Sequence, residues 1–345
     1  MTEPMQDVAP DKQVIFREIA VNIALAVAVR LFAANLVNSS TLCDQLAISS
    51  DLLEAALVLL RGLGCEVHVA NDKIKMLRLG FPLMSALLTL MLNKVGIDID
   101  VKTFQETQST NDECFAAAAK GANKPLAVIA NVQTKGRGRR GNRWEAKPGQ
   151  SALLSLLLPG RELPVETLSL AAGLAVAESI AMLTRRSPEL KWPNDVLIDD
   201  RKIAGILIET RPNVKNPDLT DYVIGVGVNV MQTHKDFPPD LAGRAISLGM
   251  IHRRDWQITY VIMTLLADLQ NRCNPLASGD EIVPLWRARC RMLGQNIRVS
   301  CAGSVLEGTV ADIDPMEGLI VRDPHGINHA CLASQTTVFS QYMSV

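Results

Sequence analysis

The stretch Leu190–Thr210, LKWPNDVLIDDRKIAGILIET, decides the fold of the middle of the chain. Its apolar runs are separated by Pro193-Asn194-Asp195 and by Asp199-Asp200, and residues of these types favour tight turns. The stretch therefore predicts three consecutive short strands. Lys191 ends the first strand before a rigid turn, and Lys202 lies on the third. A lysine held by a strand is well placed to contact a carboxylate or a phosphate.

The surrounding sequence extends this pattern into a larger domain. Pro125–Gln133, Ser151–Pro159 and Tyr222–Val230 are apolar runs that predict buried strands, and Thr167–Arg186 predicts a helix with small and apolar residues on its inner face. Strands and helices in this order indicate a central mixed-sheet α/β domain, which we place at residues 82–290. The chain as a whole is predicted to be α+β.

The N-terminal part has a different organisation. A helix is predicted over Ile19–Val37, two further helices over Ser40–Gly64 with a cap at Ser49 or Ser50, and a hairpin over Cys65–Leu79 that turns at Asn71-Asp72. This order is typical of a winged helix-turn-helix domain, predicted at residues 1–81. A linking helix is predicted over Pro82–Gly96.

From Arg291 onward, short β runs alternate with glycine, proline and aspartate. This pattern predicts a small SH3-like β-barrel at residues 291–345.

Composition excludes several classes of protein. The chain has 345 residues and a net charge of -1, so any electrostatic recognition must be local. Seven scattered cysteines without a CxxC pair indicate a reducing compartment, and the five histidines show no zinc-ligand spacing, so no metal site is expected. Ile19–Val37 is interrupted by Asn22, Arg30 and Asn35 and is too short in its apolar part to span a bilayer. We expect a cytoplasmic protein without a membrane partner.

The strongest local charge lies in Thr134–Trp144, TKGRGRRGNRW, which has five basic residues and three glycines. Glycine lets the backbone approach a ligand closely, and arginine offers planar donors that match phosphate oxygens. The segment is not a Walker A loop, because no Gly-Lys-Ser/Thr follows. A phosphate-covering loop and a solvated or nucleic-acid-binding loop both fit this segment taken alone.

A third stretch, Ser109-Thr110-Asn111, supplies short neutral donors and acceptors that suit an amide or urea ligand. Taken alone, this tripeptide is more typical of a surface turn.

Together these stretches resemble the biotin–protein ligase family. The resemblance covers Glu106 to about Val230 and rests on STN, Q-x-x-GRGRRG-x-x-W, KWPND-[VL], RK-[IL]-AG-[IL]-L and G-x-G-x-N, in the family's order and spacing. The layout is similar to the three-domain bacterial form that doubles as a transcriptional repressor.

The resemblance implies an enzyme that condenses biotin and ATP into biotinyl-5′-AMP and transfers biotin to a lysine of the biotin carboxyl carrier protein of acetyl-CoA carboxylase. Mg²⁺ is implied with ATP, without identified ligands. The implied catalytic residues are Lys191, Arg137 and Arg139. The implied biotin-binding residues are Ser109, Thr110, Asn111, Gln133, Arg137, Gly138, Arg139 and Lys191. The implied nucleotide-binding residues are Arg140, Trp144, which would pack near the adenine, and Asn229.

Two departures from the family pattern keep alternatives open. The predicted recognition helix carries Asp51 and Glu54 near its start and no basic residue before Arg61, although a major-groove reader needs basic or amide side chains there. Gln335-Thr336 stands where the family has a Gly-Glu pair. A DNA-binding biotin sensor without ligase activity and a lipoate–protein ligase are the alternatives. Operator DNA and a second copy of the chain are further partners that the resemblance allows.

Overall fold

The computed structural model of the chain describes residues 22–32, 34, 36–254 and 256–342. The chain divides into two compact units, Met1–Val95 and Gly96–Val345. Residues 1–21, with the start of the predicted helix Ile19–Val37, lie outside the described residues, as do residues 33 and 35 near its end.

The first unit combines helices with a small sheet. Its elements are α1 (Asn22–Phe32), β1 (Val37–Asn38), α2 (Ser39–Leu46), α3 (Ser50–Gly62), β2 (Glu66–Ala70), β3 (Lys73–Arg78) and α4 (Phe81–Lys94). The strands pair in the order β1-β3-β2. The predicted cap is confirmed, since the Ser49 hydroxyl accepts a hydrogen bond from the Leu52 amide. The predicted hairpin turn is also confirmed, because Asn71 and Asp72 have φ of 49° and 62°.

The second unit is built on a seven-stranded mixed sheet in the order β4-β5-β6-β10-β9-β8-β7. Only the β4–β5 pair is parallel among the pairs of this sheet. The strands are β4 (Asp100–Thr107), β5 (Leu126–Gln133), β6 (Ser151–Arg161), β7 (Glu189–Lys191), β8 (Asp195–Ile198), β9 (Arg201–Pro212) and β10 (Thr220–Asn229).

The three strands predicted in Leu190–Thr210 are confirmed as β7, β8 and β9. Asp199 and Asp200 form the second turn with φ of 51° and 60°. In the β8–β9 hairpin Asp195 pairs with Gly205 and Leu197 pairs with Lys202, so Lys202 lies on the strand beside Asp195.

Helices cover both faces of the sheet, because β6 is buried along residues 151–159 regardless of which face a residue points to. The helices are α5 (Thr110–Ala119), α6 (Val165–Thr184), α7 (Leu248–Ile251), α8 (Ile258–Cys273) and α9 (Gly279–Arg287). α5 packs on β5, β6 and β10, while α6 and α8 pack together and against β9 and β6. Within the described residues α6 is the helix long and apolar enough to cross a membrane, and most of it is buried inside the fold.

The last part of the second unit is a five-stranded antiparallel sheet in the order β14-β13-β12-β11-β15. Its strands are β11 (Asn296–Cys301), β12 (Ser304–Asp314), β13 (Gly318–Arg322), β14 (Asn328–Cys331) and β15 (Thr336–Tyr342). A single helical turn, Ala333–Gln335, connects β14 to β15.

Candidate functional site

Two neighbouring cavities lie at one end of the seven-stranded sheet. The small cavity has a volume of about 190 Å³ and the wide cavity about 1250 Å³. Both are lined by the same five residues, so they share a wall: Asn142, Arg143, Trp144, Asp195 and Lys202.

The structure brings most of the predicted site residues into the small cavity. Its lining includes Ser109, Thr110, Asn111, Gln133, Arg137, Gly138, Arg139 and Trp144. Lys191 and Asn229 line the wide cavity instead. Arg140 lines neither cavity; it is exposed, and its backbone is left-handed with φ of 57°.

The polar end of the small cavity is formed where α5 begins. Ser109, Thr110 and Asn111 are buried to 3%, 3% and 5% relative exposure, so the surface-turn interpretation of this tripeptide is wrong. The amide of Thr110 donates a hydrogen bond of 2.8 Å to Oε1 of Gln133 at the end of β5. This bond fixes the Gln133 oxygen and leaves its amino group available to the cavity.

Ser155 on β6 extends this network below the cavity. Its hydroxyl lies 2.6 Å from Thr110 Oγ1 and 2.5 Å from Asn111 Oδ1. Gly225 on β10 makes room for the amide, because a Cβ there would lie 2.5 Å from Asn111 Oδ1. The floor of the small cavity is thus a preorganised set of neutral donors and acceptors.

The arginine-rich loop, residues 136–147, is held by ion pairs near both ends. At its start Arg137 makes two 2.8 Å hydrogen bonds to Asp112 and one of 3.1 Å to Glu209. The hydrogen bond from Arg137 holds the pKa of Asp112 below its ordinary value, and the same bond raises the pKa of Arg137. At its end Lys147 Nζ donates to Asp236 Oδ1 at 2.7 Å.

The middle of this loop contacts the C-terminal sheet. The Arg139 guanidinium donates to the carbonyl of Ala333, and the amide of Ala333 donates to Glu166 Oε1 at 2.9 Å. Burial lowers the pKa of Arg139, with a smaller contribution from the charge of Arg140, and burial raises the pKa of Glu166. The C-terminal sheet therefore reaches the loop through backbone atoms of the Ala333–Gln335 turn, without the glutamate of the family pattern.

Trp144 lies near the end of this loop, and its ring packs on the backbone of two glycines, which we call the glycine shelf. A Cβ on Gly227 would come within 2.7 Å of Trp144 Cζ2, and one on Gly205 within 3.0 Å of Cζ3. The indole Nε1 is buried, and among the described residues it has no hydrogen-bond partner. A planar ring fits this shelf only because both positions lack a side chain.

Lys202 is a site residue to which the family resemblance assigned no role. Its Nζ lies 2.5 Å from Asp195 Oδ1 and 5.6 Å from the centre of the Trp144 ring, and the residue lines both cavities. The signal was present in the predicted β8–β9 hairpin, because antiparallel pairing places Lys202 on the strand beside Asp195. Lys191 has no such double position.

Asn229 supports Lys202 from the buried side. Its amide nitrogen donates to the carbonyl of Lys202 at 3.3 Å and to that of Ile246 at 3.2 Å. The backbones of Lys202 and Ile246 are also hydrogen-bonded to each other at 3.0 Å. These bonds join the start of β9 to the segment that follows β10 and hold the backbone of Lys202 at the wall between the cavities.

Comparisons with known proteins identify the family of the chain. A model of the "Biotin/lipoate A/B protein ligase family" matches residues 103–229. A biotin–[acetyl-CoA-carboxylase] ligase of Mycobacterium tuberculosis is 38% identical over 223 residues, which cover 61% of this chain and 78% of the relative. The chain belongs to the biotin–protein ligase family. It is therefore an enzyme, a biotin ligase.

Two further relatives of this biotin ligase differ in their described roles. The "bifunctional ligase/repressor BirA" of Bacillus subtilis is 29% identical over 224 residues, covering 64% of this chain and 68% of the relative. A solved biotin protein ligase of Aquifex aeolicus, in complex with biotin and ATP, has a TM-score of 0.59 at 24% identity and covers 69% of this chain and 97% of its own. The latter similarity shows the shared fold.

Proposed function

We propose that this ligase binds biotin in the small cavity and ATP in the wide cavity and joins them across the shared wall. The observation that carries the proposal is the position of Lys202, a cation that lines both cavities beside the arginine-rich loop. The neutral polar floor formed by Ser109, Thr110, Asn111 and Gln133 suits the ureido ring of biotin. The biotin carboxylate would then point toward Lys202.

In the first step the biotin carboxylate attacks the α-phosphorus of ATP. A bond forms between the carboxylate oxygen and phosphorus, pyrophosphate leaves, and the product is biotinyl-5′-AMP. Lys202 would offset the negative charge that builds on the phosphoryl oxygens in the transition state. Arg139, which lines the small cavity from the loop, would keep the mixed anhydride from water.

In the second step the amine of a carrier-protein lysine attacks the acyl carbon of the adenylate. An amide bond forms, the amine loses a proton to solvent, and AMP leaves with the electrons of the broken acyl–phosphate bond. The acceptor is proposed to be the biotin carboxyl carrier protein of acetyl-CoA carboxylase. Trp144 on its glycine shelf would pack near the adenine while the loop is closed, and Asn229 would act by holding the Lys202 backbone.

We propose a more limited role for each of Lys191, Arg137 and Arg140 than the family resemblance implied. Lys191 would meet the phosphates from the wide cavity. The charge of Arg137 is neutralised by Asp112 and Glu209, which favours an anchoring role over a direct phosphate contact. Arg140 would supply long-range positive charge from the exposed side of the loop.

Mg²⁺ would enter with the ATP phosphates. Within residues 22–32, 34, 36–254 and 256–342 there is no group of three or more His, Cys, Asp or Glu side chains that could hold a metal ion. The protein would therefore leave most of the coordination to phosphate and water oxygens.

The finer domain assignments are also proposals. The order of α2, α3 and the β2–β3 hairpin supports a winged helix-turn-helix within residues 1–81. The seven-stranded sheet supports a catalytic domain at 82–290, and the five-stranded antiparallel sheet supports an SH3-like barrel at 291–345.

The exposed side chains of α3 include Asp51, Leu52, Glu54 and Val58, which are poor ligands for phosphates. A repressor activity on operator DNA is therefore not favoured, and a homodimer stays a prediction.

The reaction is tested by incubating the protein with biotin, ATP and a carboxyl carrier domain, and reading the carrier by mass. We expect the addition of one biotinyl group to the wild-type carrier and none to a carrier whose acceptor lysine is replaced by arginine. Lipoate in place of biotin is the matched substrate control. Transfer of lipoate but not of biotin would assign the cavity to the other branch of the family.

A further inference from the structure

Glu209 on β9 does not line either cavity, yet it holds two residues that line the small one. Its Oε2 atom accepts a hydrogen bond of 2.6 Å from Asn111 Nδ2 and another of 3.1 Å from Arg137. The Glu209 side chain is 32% exposed, so it is partly buried where it meets these partners. One carboxylate oxygen thus joins the cavity floor to the start of the arginine-rich loop.

The contact with Glu209 decides which way the Asn111 amide points. An ionised carboxylate only accepts hydrogen bonds, so it must face the amino end of the amide. The carbonyl end then faces Ser155, whose hydroxyl lies 2.5 Å away and can donate to it. If the amide were turned over, its oxygen would face the carboxylate and two acceptors would meet.

The same orientation passes on to the predicted ureido contacts. Four oxygen atoms follow one another through Asn111, Ser155, Thr110 and Gln133 at 2.5, 2.6 and 3.1 Å. The Ser155 hydroxyl can donate to Asn111 Oδ1 or to Thr110 Oγ1, and the Thr110 hydroxyl donates to Gln133 Oε1. The Thr110 hydrogen is thus committed to Gln133, and Thr110 Oγ1 can meet a ligand as an acceptor.

The contact with Arg137 ties the loop to this network. Asp112 holds two guanidinium nitrogens, and Glu209 takes a second bond from one of them. Charge-assisted hydrogen bonds of this kind are about twice as strong as neutral ones. A displacement of Glu209 would therefore move the loop anchor and the cavity floor together.

We propose that Glu209 is a positioning residue of the ligase: it orients the Asn111 amide for ligand binding and couples the start of the arginine-rich loop to the floor of the small cavity. This proposal rests on the assignment of the small cavity to biotin.

The test compares Glu209→Ala and Glu209→Gln with Asp112→Asn, which loosens Arg137 but leaves the Asn111–Glu209 bond in place. Glu106→Gln, an exposed carboxylate on β4 of the same sheet, is the control. Pyrophosphate release is measured with biotin varied and with ATP varied. Hydrogen exchange of residues 136–147 is measured without any ligand, and thermal melting is followed for each variant.

We expect Glu209→Ala to raise the KM for biotin about tenfold or more, which is the loss of a hydrogen bond to a charged group. The KM for ATP should change less than about twofold, and the melting temperature should stay close to that of the wild type because the side chain is partly exposed. Glu209→Gln keeps the shape of the side chain, and its KM for biotin should lie between those of the wild type and of Glu209→Ala. Both variants should speed exchange in residues 136–147, whereas Asp112→Asn should speed exchange with a smaller rise in biotin KM.

Several results would overturn the proposal. One is a Glu209→Ala protein with wild-type biotin KM and wild-type loop exchange; another is equal loss for biotin and ATP with a lowered melting temperature, which would mark a general structural role. If Asp112→Asn raised the KM for biotin as much as Glu209→Ala does, the claim that Glu209 orients the Asn111 amide would be refuted. If the wild type releases no pyrophosphate with biotin, the proposed function fails, while exchange in the ligand-free protein still decides whether Glu209 anchors the loop.

Discussion

Lys202→Ala is the substitution that most directly tests how the two cavities work together. Lys202 Nζ is paired with Asp195 and lies over the Trp144 ring, at the wall that both cavities share. Its backbone is hydrogen-bonded to Arg244 and Ile246, so the substitution removes the charge and leaves the strand in place. The matched variant is Lys191→Ala, since Lys191 lines only the wide cavity.

The size of the effect follows from what Lys202 contacts. A donor aimed at charge that develops in the transition state is worth about 2.7–4 kcal/mol, or about 100- to 1000-fold in kcat, by analogy with an oxyanion-hole donor. The side chains of Lys202 and Asp195 are 36% and 24% exposed, so their ion pair contributes no more than about 1 kcal/mol to folding. The variant should therefore fold and lose catalysis.

The assay is pyrophosphate release with saturating biotin and ATP, beside thermal melting of each variant. We expect the rate of Lys202→Ala to fall at least about 100-fold and that of Lys191→Ala to fall less than about tenfold. The difference is expected because Lys202 lines both cavities, whereas Lys191 lines the wide cavity alone. Lys202→Arg, which keeps the charge but not the shape, should recover part of the rate.

The reverse order of the two variants would refute this reasoning. If Lys191→Ala lost the larger part of the rate while Lys202→Ala stayed within about tenfold of the wild type, the role predicted from the sequence for Lys191 would stand. The shared wall would then be a structural element without a transition-state cation.

Three other outcomes are expected. Arg139→Gly should still make biotinyl-5′-AMP but release it early, because the residue that spans from the loop to the Ala333 carbonyl is lost; biotin on a bystander protein without a carrier fold checks this, and labelling confined to the carrier would contradict it. Amides of Gly136–Lys147 should exchange more slowly with biotinyl-5′-AMP than without it, and equal exchange would count against a closing loop. Burial raises the pKa of Asp268, which accepts a 2.6 Å hydrogen bond from Ser179. The stability linked to this raised pKa is complete below the ordinary value of 3.8 and is lost as pH rises through the raised pKa. The melting temperature of Asp268→Asn should therefore gain on that of the wild type as pH rises from 3.8, and a constant difference would argue against this cause.

Local features of the fold were predictable because short-range chemistry decides them. The turns at Asn71-Asp72 and Asp199-Asp200 require positive φ, which Asn and Asp tolerate, and Ser49 caps a helix through its own hydroxyl. The loop at Thr134–Trp144 could be located from its composition alone. These features need no knowledge of what lies far away in the sequence.

Contacts between distant segments could not be predicted in the same way. Arg137 appears in the sequence as a free cation, but Asp112 and Glu209 neutralise it from 25 and 72 residues away. The choice between Lys191 and Lys202 depends on the register of the β8–β9 hairpin. The sequence motif contains both lysines, and only the folded sheet shows that Lys202 lines both cavities.

The ion pairs near the two ends of the arginine-rich loop also determine how strongly the length of the loop affects its closure. Ion pairs hold Arg137 to Asp112 and Glu209 and hold Lys147 to Asp236. Residues 138–146 form the span between them, which Arg139 also ties to the Ala333 carbonyl. Such a span extends at most about 30 Å. The entropy of closing a flexible segment grows only with the logarithm of its length, about 0.6 kcal/mol for each doubling. Inserting a few glycines near Gly141 should therefore reduce the retention of biotinyl-5′-AMP less than removing the ion pairs at either end of the loop. A segment that is held at both ends tolerates extra length better than it tolerates the loss of one attachment.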